Sequence, residues 1–170
     1  MKNDILLDEY LYCNSQIPEN SRFTYFEPFY NAFFYDTTPL NLGYPEIKGI
    51  LMYSKKYDFY PCIAFLPTGK RVEQRLNICI DSCKIIFDDL DEQYDDSVKK
   101  KLVYFVIKNK DKLKRFWNFG HIEKYHEHPF LFDYVYSMKL TDEDIIQSEL
   151  VTIDYHLLDT SEIYGFDFYD

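Results

Sequence analysis

The sequence predicts an α+β fold, a mostly antiparallel sheet with one long amphipathic helix at about 97–117 packed across it. Three observations lead there. Apolar runs of strand length recur over residues 46–80, broken by turn residues. Val98, Leu102, Phe105, Val106, Leu113, Phe116 and Trp117 then fall at helical spacing. Short strand-like and helix-like stretches follow that helix, an order typical of a sheet covered on one side by helices.

Taken in order, Ile5-Leu6-Leu7 and Tyr10-Leu11-Tyr12 are spaced for one helical face, which ends before Pro18. Residues 21–45 are dense in Phe and Tyr and cut by Pro28, Pro39 and Pro45, so an extended or irregular arm lying over the body is expected. Residues 46–54 read as a strand. Residues 57–66 and 71–80 read as a hairpin around Pro67-Thr68-Gly69-Lys70, because proline presets φ for a turn and glycine supplies a left-handed position. In the second hairpin strand Val72, Leu76, Ile78 and Ile80 share one parity, and Arg71, Glu73 and Arg75 the other. That alternation predicts one wet face.

The helix at 97–117 opens on Asp95, Asp96 and Ser97, where a cap and anions belong. It closes with Lys112, Lys114 and Arg115 ahead of Gly120, where cations and a stop belong. Trp117 reads as a core anchor. Residues 121–129 form a polar loop, and 130–138 a buried strand. Asp142-Glu143-Asp144 opens a short helix into Ile145-Ile146, and Val151–Leu158 reads as another strand. The last twelve residues alternate acidic and aromatic residues and fit either a final strand or a mobile tail. The domain reading is therefore a single unit over 1–170, with an aromatic-rich N-terminal arm at 1–45 and an acidic-aromatic tail at 159–170.

Composition bounds the function. A chain of 170 residues with 46% apolar and 28% charged residues buries roughly 70% of its unfolded surface, enough for a core without staples. No apolar run reaches spanning length, so no membrane partner is expected. Asp4, Asp8 and Glu9 interrupt any secretion-signal core, which makes a reducing, cytoplasmic setting the expectation. Cys13, Cys62, Cys79 and Cys83 then read as free thiols, mostly buried as small hydrophobes. The Lys, Asn, Ile, Tyr and Asp usage fits an AT-rich bacterial or phage genome, an impression that carries no function.

Charge is segregated along the chain. Residues 87–96 hold six carboxylates and no cation. Residues 97–124 hold nine Lys and Arg against two acids, and residues 125–170 hold eleven acids against the single Lys139. The basic block lies largely opposite the apolar stripe of the helix. It reads either as a solvated face or as one that meets the chain's own acidic segments. A net charge of −10 makes nucleic acid an unlikely partner. The acidic last quarter favours a basic protein partner, with Asp142, Glu143, Asp144, Glu149, Asp154, Tyr155 and Tyr164 as the contact residues.

Catalytic signatures are sparse. His121, His126 and His128 crowd one loop and are the candidate metal ligands, although no H-E-x-x-H is present. Cys79 and Cys83 are four apart and form no C-x-x-C pair. Asp154, His156 and Ser161 spell triad residue types without a G-x-S-x-G elbow, and the five glycines form no phosphate loop. No cofactor is expected. The reading is a non-catalytic acidic binding module, a small inhibitor or adaptor of the kind that neutralises a toxin or a defence protein. A metal-dependent enzyme built on the histidine loop is one alternative, and a structural component of a phage or other assembly is another.

Overall fold

A computed structural model describes residues 23–27, 32–36, 40–42, 47–53, 60–67, 74–119 and 137–164. Six strands run in chain order across one antiparallel sheet: β1 Phe23–Glu27, β2 Ala32–Asp36, β3 Gly49–Tyr53, β4 Cys62–Leu66, β5 Leu76–Cys79 and β6 Ile85–Asp88. Among the described residues four helices follow: α1 Asp96–Lys108, α2 Lys110–Phe119, α3 Asp142–Ser148 and α4 Thr160–Tyr164. The class is α+β, as the sequence predicts.

The centre of the sheet is β3-β4-β5, and each of its residues is buried. Gly-Ile-Leu-Met-Tyr and Cys-Ile-Ala-Phe-Leu carry little polar alternation, which is the pattern of a strand covered on both faces. Register assigns the faces. Ile50 pairs with Phe65, Met52 with Ile63, and Ile63 with Ile78, which lines these residues along one side. Phe65 meets Phe105 of α1 edge-to-face at 5.9 Å between ring centroids, and α2 packs against β3, so this side lies under the helices. Trp117 is buried there, as a core anchor should be.

The opposite side carries Ala64 beside Asn77 and Cys62 beside Cys79. Here the parity expectation fails, because Arg75 and Asn77 are fully buried. The guanidinium of Arg75 sits 4.2 Å from the centre of the Phe87 ring, and Asn77 donates to Cys62 Sγ at 3.5 Å. Cation–π contact and a side-chain hydrogen bond let two polar groups enter a covered face. Parity identifies which residues share a face, not whether that face stays wet.

Other expectations are revised as well. The aromatic stretch expected as an arm supplies β1 and β2, whose registers continue the sheet into β3. Strand β6, Ile-Ile-Phe-Asp, ends where the acidic run begins and is not among the strands that the sequence predicts. The long helix is two helices separated at Asn109. The Asn109 amide and side chain both donate to the Phe105 carbonyl, at 3.0 and 2.9 Å, and its backbone leaves helical geometry at φ −106°, ψ 17°. Asparagine competes with the helix ladder in this way, which explains the break within an otherwise continuous apolar stripe. Val151–Leu158 is not a regular strand. It runs parallel to β6 as an extended strap through one bridge, Ile85 with Tyr155, and through bonds from the amides of His156 and Leu158 to Ile85 and Ile86. The start of the expected tail is helix α4. The expected helix near the N-terminus and the strand reading up to residue 136 lie outside the described residues. Among the described residues no helix is long and apolar enough to cross a membrane.

Candidate protein-binding surface

Helix α3 begins with a sequence-encoded cap. In Thr141-Asp142-Glu143-Asp144 the Thr141 hydroxyl accepts from the Asp144 amide at 3.1 Å, while the Asp144 carboxylate accepts from the Thr141 amide at 2.8 Å. This reciprocal capping box satisfies two backbone donors that a helix start otherwise leaves open. The same carboxylate accepts from Lys108 Nζ and, at 3.3 Å, from the Tyr104 hydroxyl, joining α3 to α1. Burial alone would raise the Asp144 carboxyl. The hydrogen bonds from Lys108 and Thr141 outweigh that and hold it down at about 2. Asp144, expected among the contact residues, is therefore buried and committed to the fold.

The remaining α3 residues divide by helical geometry. Asp144 and Ser148 are buried and Ile145 is half-buried, while Asp142, Glu143, Ile146 and Gln147 are exposed. At 100° per residue the exposed set occupies one continuous arc, and Glu149 and Leu150 extend it past the helix end. Ile146 is 63% exposed and Leu150 79%. Three carboxylates, Asp142, Glu143 and Glu149, thus share one exposed stretch of chain with two open aliphatic side chains. Among the described residues none of these three forms an ion pair; the pairs present are Lys99–Asp88, Lys108–Asp144 and Lys114–Asp81.

The other expected contact residues lie farther along. Asp154 is exposed and lends its carbonyl to the Ile85 amide. Tyr155, 47% exposed, and Leu157, 63% exposed, stand on the strap along β6. Tyr164 closes α4, and its side chain is outside the described residues, as are His121, His126 and His128. Among the described residues no group of three or more His, Cys, Asp or Glu is placed to hold a metal ion.

The basic block is mostly turned onto the chain's own acceptors. Lys99 bonds Asp88 at 2.7 Å, and Lys100 reaches the Glu149 carbonyl at 3.4 Å. Lys110 and Lys114 hold the backbone and carboxylate of Asp81, and Lys112 bonds Ser137 Oγ at 2.8 Å. Three of the six acids of residues 88–96 are similarly occupied, while Asp89, Glu92 and Asp96 stay exposed. Asp95 caps α1 by accepting from the Val98 amide at 3.2 Å, Asp91 accepts from Gln74, and Asp88 takes Lys99. An open depression of about 540 Å³ lies among Leu90, Glu92, Tyr94, Asp96 and their neighbours, and of its acids Asp95 caps α1 and Asp91 accepts from Gln74.

Sequence reasoning missed Ile146, Leu150 and Leu157 as surface residues. A signal for Ile146 was present, because a helix opening at Asp142 places it between Asp142 and Glu143 on the wheel. The capping-box pattern likewise marks Asp144 as structural. No family model matches the chain, and comparison with curated proteins and with solved structures returns no match.

Proposed function

We propose that this chain is a non-catalytic protein-binding module, a small inhibitor or adaptor, which covers a basic protein partner with the outward arc of α3. The observation that carries the reading is the joint exposure of Asp142, Glu143 and Glu149 with Ile146 and Leu150 along and just past α3. Apolar side chains at the centre of a contact supply affinity once water leaves, while charges at the rim steer encounter and reject partners of like sign. A net charge of −10, with eleven acids in the last 46 residues, makes a positively charged partner the complementary one. Asp154, Tyr155 and Leu157 on the strap are the next candidates for contact.

The test compares the chain with its Asp142→Asn/Glu143→Gln/Glu149→Gln variant, both immobilised and exposed to host lysate at about 50 mM salt, with retained proteins identified by mass spectrometry. A basic protein held by the parent, released as salt rises and not held by the variant is the expected result. A partner of acidic pI, or one held equally by both forms, overturns the proposal.

A further inference from the structure

Three cysteines meet where β4 begins and β5 ends. Cys62 is the first residue of β4, Cys79 is the last of β5, and the register sets them directly opposite each other. Which kind of opposite pair they form follows from the backbone. The Ile80 amide donates to the Pro61 carbonyl, so Pro61 and Ile80 are the hydrogen-bonded pair at this end of the ladder. The Cys79 amide donates away from β4, to Lys84, and the Cys79 carbonyl accepts from the Cys83 amide. Cys62 and Cys79 therefore form a non-hydrogen-bonded pair, the type in which α-carbons stand roughly 4.5 Å apart and side chains approach most closely. That spacing lies within the range that a disulfide spans. Both side chains point to the same face, and both are free thiols.

We infer that Cys62 and Cys79 are an oxidisable dithiol, a covalent modification site that closes to a cross-strand disulfide when the chain meets a low-molecular-weight disulfide. In the exchange the two cysteine S–H bonds and the reagent's S–S bond break. One bond forms between the two Sγ atoms, and the two electrons and two protons leave on two molecules of reagent thiol.

Access comes from the position of the pair. Proline has no amide, so the Pro61–Ile80 pair has only one of its two possible ladder bonds, and this end of the ladder frays more readily than a fully bonded one. Closure is slow all the same. Burial pushes the Cys62 thiol up to about 12, against a smaller opposing effect of the Asn77 hydrogen bond, so the attacking thiolate is scarce. Cys83 is the competing partner for Cys79, being half-buried in the following turn. Its backbone lies at φ 59°, and its thiol faces the Ile80 carbonyl at 3.9 Å.

The consequence reaches the C-terminal helix. Tyr60, two residues before Cys62, donates its amide to the Ile163 carbonyl of α4. A closed disulfide pins the hairpin end on which α4 is hung.

The test treats the folded full-length chain and its Cys13→Ser/Cys83→Ser variant with excess oxidised glutathione over hours, then maps the linkages by mass spectrometry. The expected result is loss of two hydrogens in the variant, a linked pair of peptides containing Cys62 and Cys79 in both proteins, and reversal by dithiothreitol. Three outcomes overturn the inference: a chain that stays reduced, a chain carrying glutathione as a stable mixed disulfide on Cys62 or Cys79, or a parent chain whose main linkage joins Cys79 to Cys83. If the double variant fails to fold, linkage mapping in the parent alone decides between the Cys62 and Cys83 partners.

Discussion

The acidic run at 88–96 and the acidic segment at 142–159 look alike in sequence and differ in three dimensions. In the first, half of the acids, Asp88, Asp91 and Asp95, are taken up by Lys99, Gln74 and the start of α1, while Asp89, Glu92 and Asp96 stay exposed. In the second, one carboxylate, Asp144, is taken up, while Asp142, Glu143, Glu149 and Asp154 stay exposed and outside any ion pair among the described residues. Charge counted along a chain is therefore a poor guide to charge offered to a partner. The first run lies between a strand and a helix N-terminus, where backbone amides, Gln74 and a facing lysine take up three of its six acids. The second begins on a helix whose N3 acid closes the capping box, and no described side chain pairs with Asp142, Glu143, Glu149 or Asp154.

The sharpest way to break this comparison is to remove the one acid of the second segment that behaves like those of the first. Asp144→Asn leaves Lys108 without its carboxylate at the α1–α3 junction and weakens the capping box. It should lower unfolding free energy by about 2 kcal/mol, read from urea denaturation. The pH dependence has a definite sign. The carboxyl sits at about 2 in the fold against an ordinary 3.8, so its contribution is complete above the ordinary value and is lost as pH falls from there through about 2. In the Asn variant that part of the acid limb should disappear.

Smaller effects are expected in the first run. Asp95→Ala removes the side-chain acceptor for the Val98 amide and should cost about 1 kcal/mol, the usual worth of an N-cap. Asp88→Asn separates Asp88 from Lys99, a pair with both side chains mostly covered, and should cost about 0.5–1 kcal/mol. Double substitution with Lys99→Met tests whether the cost belongs to the pair, since the coupling should vanish once neither charge remains.

Much of the fold is legible from local signals. The hairpin of β4 and β5, the helix start at Asp95 and the short helix at Asp142 follow from turn chemistry, periodicity and capping. What escaped depends on contacts between distant residues. Asn109 breaks the helix because Phe105 and Met138 carbonyls offer its side chain acceptors, and the Met138 contact spans 29 positions. Arg75 is buried because Phe87 lies beneath it, which alternation along β5 cannot reveal. Of the candidate surface, the acids were legible as a set, but the loss of Asp144 to Lys108 and the exposure of Ile146 and Leu150 required the packing of α3 on α1.

The smallest effect on stability should come from the residues to which the binding reading gives most weight. Ile146 and Leu150 are largely open to water, so Ile146→Ser/Leu150→Ser removes little buried area and should change unfolding free energy by no more than about 0.5 kcal/mol. The Asp142→Asn/Glu143→Gln/Glu149→Gln variant should be equally mild, because those carboxylates have no described ion partner. The two variants should separate in binding to a basic partner. Loss of the acids slows association and flattens its salt dependence, whereas loss of the aliphatic pair speeds dissociation at every salt concentration. Kinetic binding curves at several salt concentrations read both arms. Equal behaviour of the two variants would mean that the carboxylates and the aliphatic side chains do not form one contact surface.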